Sequence, residues 1–244
     1  MKSRIDTSNQ PHLTVETVTR KIADRIVSVK HYRKTLGIFW EGFGLVAEGG
    51  LVGVVCYGQP SAPIQRHAFK DRDFRLYELN RLVVDAGVRN GASILISRSL
   101  KMLSSQPCAV VSYADTAFGH SGIVYQASNW VYTGCTKSHD NLYLVNGDLL
   151  HPTTVKDRFG VTDPMRWAQE NEIQSVSPKP KHRYFHFVGN RRERKRMRSL
   201  LNYEEVESYP KSDHVRYDDT GVKCQSLVED LWICNFGIWG PAPV

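Results

Sequence analysis

The sequence predicts an α/β protein, a mixed and mostly antiparallel sheet flanked by helices, with a basic extension at the C-terminal end. Three observations carry that expectation. Strand-sized apolar stretches alternate with amphipathic helical ones through the first 150 residues. Two of the strands meet at Gly49-Gly50, a hairpin signal. Beyond residue 151 the pattern changes, and Lys and Arg crowd into "KPKHRYFHFVGNRRERKRMRSLL" (179–201) against a single Glu. The chain therefore divides into a main α/β domain over 1–150 and an extension over 151–244.

Each element has its own warrant. "LTVETV" (13–18) alternates like a short strand, and Ile22, Ile26 and Val29 then share one face of a helix that ends near "KHYRK". "GIFWEGFGLVAEGGLVGVVCYG" (37–58) reads as the two strands of the hairpin, and 59–73 as a loop with two prolines. "FRLYELNRLVVD" (74–85) alternates as a strand. "AGVRNGAS" is a glycine-bearing turn, and Ser93 is the expected N-cap of the amphipathic helix "SILISRSLKML". "PCAVVSYAD" (107–115) is almost wholly apolar and so predicts a central strand. "HSGIVYQAS" is short enough for one or two helical turns, and "NWVYTGCT" with "NLYLVNGDLL" reads as a closing strand pair. The extension then offers a helix at "DPMRWAQEN", a linker at "SPKPK", a strand at "RYFHFV" and a basic helix at "NRRERKRMRSLL". The last thirty or so residues carry aromatics without a period.

Composition excludes several classes. At 41% hydrophobic and 23% charged residues, the chain has the make-up of a soluble globular protein with ample material for a core. Its longest apolar runs, such as "LVGVVCY", are too short to span a bilayer, which argues against a membrane partner. The polar N-terminus lacks the apolar segment of a secretory leader, so a cytoplasmic location is expected. Cys56, Cys108, Cys135, Cys224 and Cys234 are odd in number, scattered and free of any CxxC pair. They predict neither a disulfide framework nor a structural zinc site. The net charge of +7, gathered near 179–201, points to a polyanionic partner.

The order β-α-β-β-β-α-β-α-β-β resembles the GNAT acyltransferase fold. At the level of residues the match is narrower and more specific. "ELNRLVVD" (78–85), the "NGAS" helix start, "VSYAD" (111–115), "GHSGIVYQASNWVYTG" (119–134) and "YPK" (209–211) together resemble the Mom DNA-modification proteins of Mu-like phages. The resemblance is good over roughly residues 30–135, and elsewhere rests on basic character. It implies a GNAT-like enzyme that converts adenine in double-stranded DNA to an N6-carbamoylmethyl (glycinamide) derivative. Such a mark shields phage DNA from restriction in the host cell cytoplasm.

In a GNAT-type sheet the strand carrying "VVSYAD" splays from its neighbour, so the side chains at its end face a substrate cleft. Ser112 and Asp115 are then placed to orient an adenine amine or accept its proton, and Tyr113 to stack or donate. The structural alternative is Asp115 as a helix cap and Tyr113 as core. His120 stands between glycines that let the backbone approach a ligand closely. His31 and Tyr32 form a second such pair, which the family shares. His31, Asp115 and His120 are a candidate two-His-one-carboxylate iron set, although no two of them have helical ligand spacing. Glu78 lies in the strand that supplies the general base of many GNAT enzymes, where burial would raise its pKa. A salt bridge to Arg81 or Arg75 is the alternative.

"GVRNGAS" offers Arg89, Asn90, Gly91 and Ser93 as a cofactor-binding turn at a helix start. Its spacing departs from the R/Q-x-x-G-x-G/A of acyl-CoA enzymes. A glycine-derived donor such as glycyl-tRNA is as logical as acetyl-CoA, and a tRNA partner follows from the first. Arg191, Arg192, Arg194, Lys195, Arg196 and Arg198 form the candidate nucleic-acid surface, following the aromatic "RYFHF". Chemistry at N6 needs the base out of the duplex, and Tyr113, Tyr125 and Trp130 are candidates to receive it, Trp130 being equally a candidate for the core. Two rivals remain open: an acyl-CoA-dependent N-acyltransferase acting on a protein or small amine, and a nucleic-acid-binding protein without catalysis.

Overall fold

The computed structural model describes residues 12–48, 50–136 and 141–211, apart from the Leu149 side chain. Gly49 of the hairpin, Cys224, Cys234 and the aromatics of the last thirty residues lie outside the described residues. The main sheet has seven strands in the order β1-β2-β3-β4-β5-β10-β6. These are β1 Leu13–Thr17, β2 Glu41–Ala47, β3 Gly50–Gly58, β4 Arg75–Val84, β5 Cys108–Asp115, β6 Val131–Cys135 and β10 Lys181–Val188. Only β4 and β5 run parallel; every other neighbouring pair is antiparallel. The expected fold class, a mixed and mostly antiparallel sheet flanked by helices, is the one found.

Helices cover both faces. α1 (Arg20–Lys30) begins at Thr19, whose hydroxyl accepts from the Ile22 amide, and buries Ile22, Ala23, Ile26 and Val27 against Val54, Cys56 and Val83. α2 (Ala62–His67) falls within the stretch expected to be loop. Ile64 of α2 and Met197 of α7 (Arg191–Ser199) pack on Leu76, Ala109, Val111 and Phe185. α3 (Gly91–Met102) and α4 (Ile123–Ala127) cover the opposite face, where Tyr57, Tyr77, Leu79, Val110 and Trp130 lie. A complete capping box starts α7: Asn190 accepts from the Arg192 and Glu193 amides, and Glu193 accepts from the Asn190 amide. No helix among the described residues is long and apolar enough to cross a membrane.

Two sequence expectations change. β6 and β7 (Leu142–Val145) do not pair. β7 instead joins β8 (Asp148–Leu150) and β9 (Ser175–Val176) in a separate three-stranded sheet. With α5 (Pro152–Phe159) and α6 (Pro164–Glu170), that sheet gathers its own small core around Tyr143, Val145, Val155 and Ala168. The chain then returns, and β10 slots between β5 and β6 of the main sheet. β10 lies on the far side of residue 150, so the main sheet draws on chain from both sides of that point. Ser93 is also not the N-cap of α3. That position belongs to Asn90, held left-handed at φ 56°, and the helix begins at Gly91.

Gly122 shows how tightly the second half of the sheet is closed. Its φ of +82° favours glycine, and a Cβ there would lie 2.5 Å from the Tyr184 ring. Gly122→Ala should therefore lower stability by about 1–3 kcal/mol through backbone strain and overpacking. Thermal denaturation checks this, and an unchanged melting temperature would show that the turn relaxes freely.

Candidate active site

The cleft begins where two strands part. β4 and β5 pair from Arg75↔Cys108 to Leu79↔Ser112, and no further. Past that point β4 continues to Val84 beside β3, and β5 continues to Asp115 beside β10. A register shift between Cys56 and Tyr57 leaves Asn80 as an extra residue on β4, a bulge that bends the strand away. The fully buried Ser112 hydroxyl donates to the Leu79 carbonyl at 2.8 Å and shares a hydrogen bond with the Tyr125 hydroxyl, also 2.8 Å. Ser112 thus finishes the ladder and fastens α4 to it; its hydroxyl is occupied structurally.

Asp115 ends β5 and is 5% exposed. One carboxylate oxygen accepts from the Ala117 amide at 3.1 Å, capping a single 3-10 turn over Thr116–Phe118. The other lies 3.4 Å from the Arg33 guanidinium and 3.3 Å from Lys181 Nζ. Asp115 is therefore a cap and an ion-pair anchor at once. Arg33 comes from the loop after α1, and Lys181 from the start of β10, in register opposite Asp115.

An aromatic wall stands beside this carboxylate. His31 and Tyr32 stack with ring centres 4.4 Å apart, Tyr32 lies 4.2 Å from Phe118, and His120 meets Tyr32 edge-on at 5.4 Å. Phe118 is 49% exposed, so the wall presents an open apolar surface. Burial, reinforced by Arg81 and Arg33, pushes the His31 imidazole down to about 3. Burial also lowers His120, against the pull of Asp115. His31 is thus neutral near pH 7, and its Nδ1 accepts from the Arg33 amide at 3.1 Å.

His31, Asp115 and His120 do not form the metal set considered from the sequence. Among the described residues, no group of three or more His, Cys, Asp or Glu is arranged to hold an ion. Asp115 is committed to an amide and two cations, and His31 Nδ1 to a backbone N–H.

Glu78 sits half-buried on β4, one residue before the strands part. Burial raises its carboxyl to about 7, and Arg81, Lys181, a Ser61 backbone hydrogen bond and Arg33 oppose that rise. Neither expected salt bridge is made. Arg81 donates to the Thr35 and Asn80 carbonyls, and Arg75 stacks 4.1 Å over Trp40. Tyr113 lies on the same face, packed in the cluster of Phe69 and Phe185, with its hydroxyl pKa raised by burial and by Glu78.

Other expectations move. Trp130 is fully buried and Tyr125 nearly so, hence both are core and neither is open to an extruded base. Gly91 is small because α3 lies close to β4: a Cβ would sit 2.8 Å from Val84 and from Val88. Arg89 and Asn90 are exposed at that helix start, with Ser93 in the first turn. On α7, Arg191, Arg192, Arg194 and Lys195 are exposed, whereas Arg196 pairs with Asp73 at 2.6 Å and Arg198 pairs with Glu205. The segment "YPK" docks on the earlier motif, since Tyr209 donates to the Trp130 carbonyl and Gln126 donates to the Pro210 carbonyl. Sequence reading missed Arg33, Phe118 and Lys181. Only their proximity to "HY", "VSYAD" and "RYFHF" marked them.

These features define a GNAT-like protein with a polar, cation-rich cleft between its parting central strands. The chain belongs to the Mom protein family, whose model matches residues 12–211. It is 33% identical over 208 residues to methylcarbamoylase mom of Escherichia phage Mu, covering 82% of this chain and 84% of that one. Among solved structures, a GNAT-family acetyltransferase from Bacillus cereus aligns with a TM-score of 0.40 and 11% identity over 73% of this chain and 99% of its own. One from Streptococcus pneumoniae gives 0.42 and 10% identity, over 72% of this chain and 100% of its own.

Glu78 yields a stability prediction. Its folded pKa of about 7 exceeds the ordinary 4.5, so the folded state disfavours the charged form. The stability contributed by keeping it protonated is complete below about pH 4.5 and is lost as pH rises through 7. Glu78→Gln should therefore match the parent near pH 4 and exceed it at pH 8, by up to about 3 kcal/mol. Denaturant melts at the two pH values check this; equal curves at pH 8 would place the carboxylate in a well-solvated setting.

Proposed function

We propose that this protein transfers a carbamoylmethyl group to the exocyclic N6 of adenine in double-stranded phage DNA, within the host cytoplasm, and so protects that DNA from restriction. The observation that carries the reading is the relationship to a phage Mu protein named a methylcarbamoylase, sustained over four-fifths of both chains. The cleft supports it. An extruded adenine has a stacking surface in Phe118 and Tyr32, beside neutral His120. Its amine then faces Glu78, whose carboxyl, raised to about 7, is half ionised near neutrality and suited to accept the proton that N6 loses. Arg33 and Lys181, held by Asp115, offer positive charge to a donor carbonyl or phosphate.

The donor side is assigned to the start of α3, where Arg89, Asn90 and the first-turn amides near Gly91 and Ser93 follow β4. A glycine-derived donor such as glycyl-tRNA contains the two carbons and the nitrogen that the product adds to N6, whereas the acetyl group of acetyl-CoA lacks the nitrogen. Attack of N6 on the glycyl ester would release the tRNA hydroxyl and form an N6-glycyl isomer that must then rearrange to the carbamoylmethyl product. The exposed face of α7 supplies a sequence-independent grip on the DNA backbone.

Mass analysis of nucleosides from cells expressing the protein tests the chemistry. A deoxyadenosine heavier by a carbamoylmethyl group is expected, and unmodified adenine after soluble expression in a competent host would refute it. In a reconstituted reaction the rate should rise through about pH 7, with Glu78→Gln losing that limb and most of the activity. For the grip, changing Arg191, Arg192, Arg194 and Lys195 to Glu should weaken duplex binding by roughly tenfold or more, alike across sequences. It should also reduce the salt slope by about three to four. An unchanged slope would leave α7 a solvated face.

A further inference from the structure

A polar cavity of about 370 Å³ opens where β4 begins and is lined by Trp40, Gln59, Gln65, Arg72, Phe74 and Arg75. Its chemistry is unlike a packing defect. The Arg75 guanidinium lies 4.1 Å over the Trp40 ring, forming a flat cationic platform. Arg72 is half-buried. Among the described residues, neither Arg72 nor Arg75 has a carboxylate within ion-pair distance. Guanidinium groups elsewhere in the fold find partners, as Arg196 does with Asp73 and Arg198 with Glu205. A partly desolvated cation left unpaired beside a cavity is costly unless an anion completes it. Burial without compensation is also what lowers the Arg72 pKa. Gln65 donates to the Pro60 carbonyl at 2.8 Å, which fixes its amide and leaves the carbonyl oxygen as an acceptor at the rim.

The position of the cavity says what kind of anion. Arg72 lies in a segment strapped to the end of α7. The Lys70 amide donates to the Leu200 carbonyl, Asn202 donates to the His67 carbonyl, and Asp73 pairs with Arg196. The basic helix and the cavity are therefore joined through this segment. On its other side, Leu76 lines the cavity and Glu78 follows two residues along the same face of β4.

We infer that this cavity holds a nucleotide of the strand that carries the target adenine, its base stacked on the Arg75–Trp40 platform and its phosphate on Arg72. The inference rests on the reading of DNA as the substrate. A nucleotide stacked there would help hold an opened strand on the protein. Stacking tolerates any base, whereas the Gln59 and Gln65 amides at the rim can favour some bases over others.

The test uses the full chain without donor, so that binding is read apart from turnover. Fluorescence anisotropy is followed across a salt series with two labelled probes, a fully paired duplex and the same duplex carrying an unpaired adenine. Arg72→Gln should weaken binding of the second probe by roughly tenfold and lower its salt slope by about one, and Arg72→Lys should restore the slope. Trp40→Leu should cost about tenfold on that probe with the slope unchanged, and little on the paired duplex. Parent-like affinity and slope in both Arg72→Gln and Trp40→Leu, with normal thermal melts, would overturn the cavity's role while leaving DNA as substrate intact. Failure of the unaltered protein to bind either probe would overturn both.

Discussion

At the last paired position of β4 and β5, the Ser112 side chain takes the Leu79 carbonyl and is itself held by Tyr125. A hydroxyl there closes a ladder that would otherwise leave a buried carbonyl unpaired where two strands separate. The candidate site at the end of β5 depends on that separation. It turns Glu78 and Asp115, which sit on neighbouring strands, into groups on the two walls of a cleft. It also gives the loop after α1 and the 3-10 turn after β5 room to bring their rings together above it. The bulge at Asn80 bends β4 one way, and the antiparallel partner β10 keeps β5 straight on the other.

The electrostatics of that cleft follow from which charges are neutralised. Asp115 is offset by Arg33 and Lys181, and these partly exposed partners make the pairing a matter of placement more than of stability. Burial and the surrounding cations keep His31 neutral, and burial lowers His120 against the pull of Asp115, so His31 can offer a hydrogen bond and a flat surface without adding charge. Glu78 is the exception. It is half-buried, near cations yet not paired with them, and its proton is loosely held near pH 7. Two carboxylates in one cleft are thus driven apart in character, Asp115 held between an amide and two cations and Glu78 with its pKa raised to about 7.

Much of this was legible in the sequence. The alternation of 74–85 and the almost wholly apolar run at 107–115 identified the two strands, the second as central, and the GNAT resemblance alone implied that they part. Asp115, His120, Glu78, His31 and Tyr32 do converge, and the polar density of "VSYADTAFGH" was the visible sign. What the sequence hid was long-range. Lys181 reaches Asp115 because β10 re-enters the sheet after an inserted subdomain with its own core, and no local period announces a strand order. Arg33 looked like one basic residue in a loop of several. Trp130 and Tyr125 looked available for a base because their polar neighbours, Gln126 and Ser112, turn out to serve internal hydrogen bonds. The extra α2 was masked by two prolines, one of which sits harmlessly in its first turn.

The central claim is that the carboxylate at the end of β5 serves the reaction as well as the fold. Asp115→Asn separates the two, because the amide oxygen can still accept from the Ala117 N–H while the charge that positions Arg33 and Lys181 is gone. The decisive measurement is the amount of modified deoxyadenosine in DNA from cells expressing this variant, alongside its melting temperature and DNA affinity. The account predicts a folded, DNA-binding protein whose product falls on the order of a hundredfold or more. A well-folded variant that modifies DNA at the parent level would reduce Asp115 to a turn cap and contradict it.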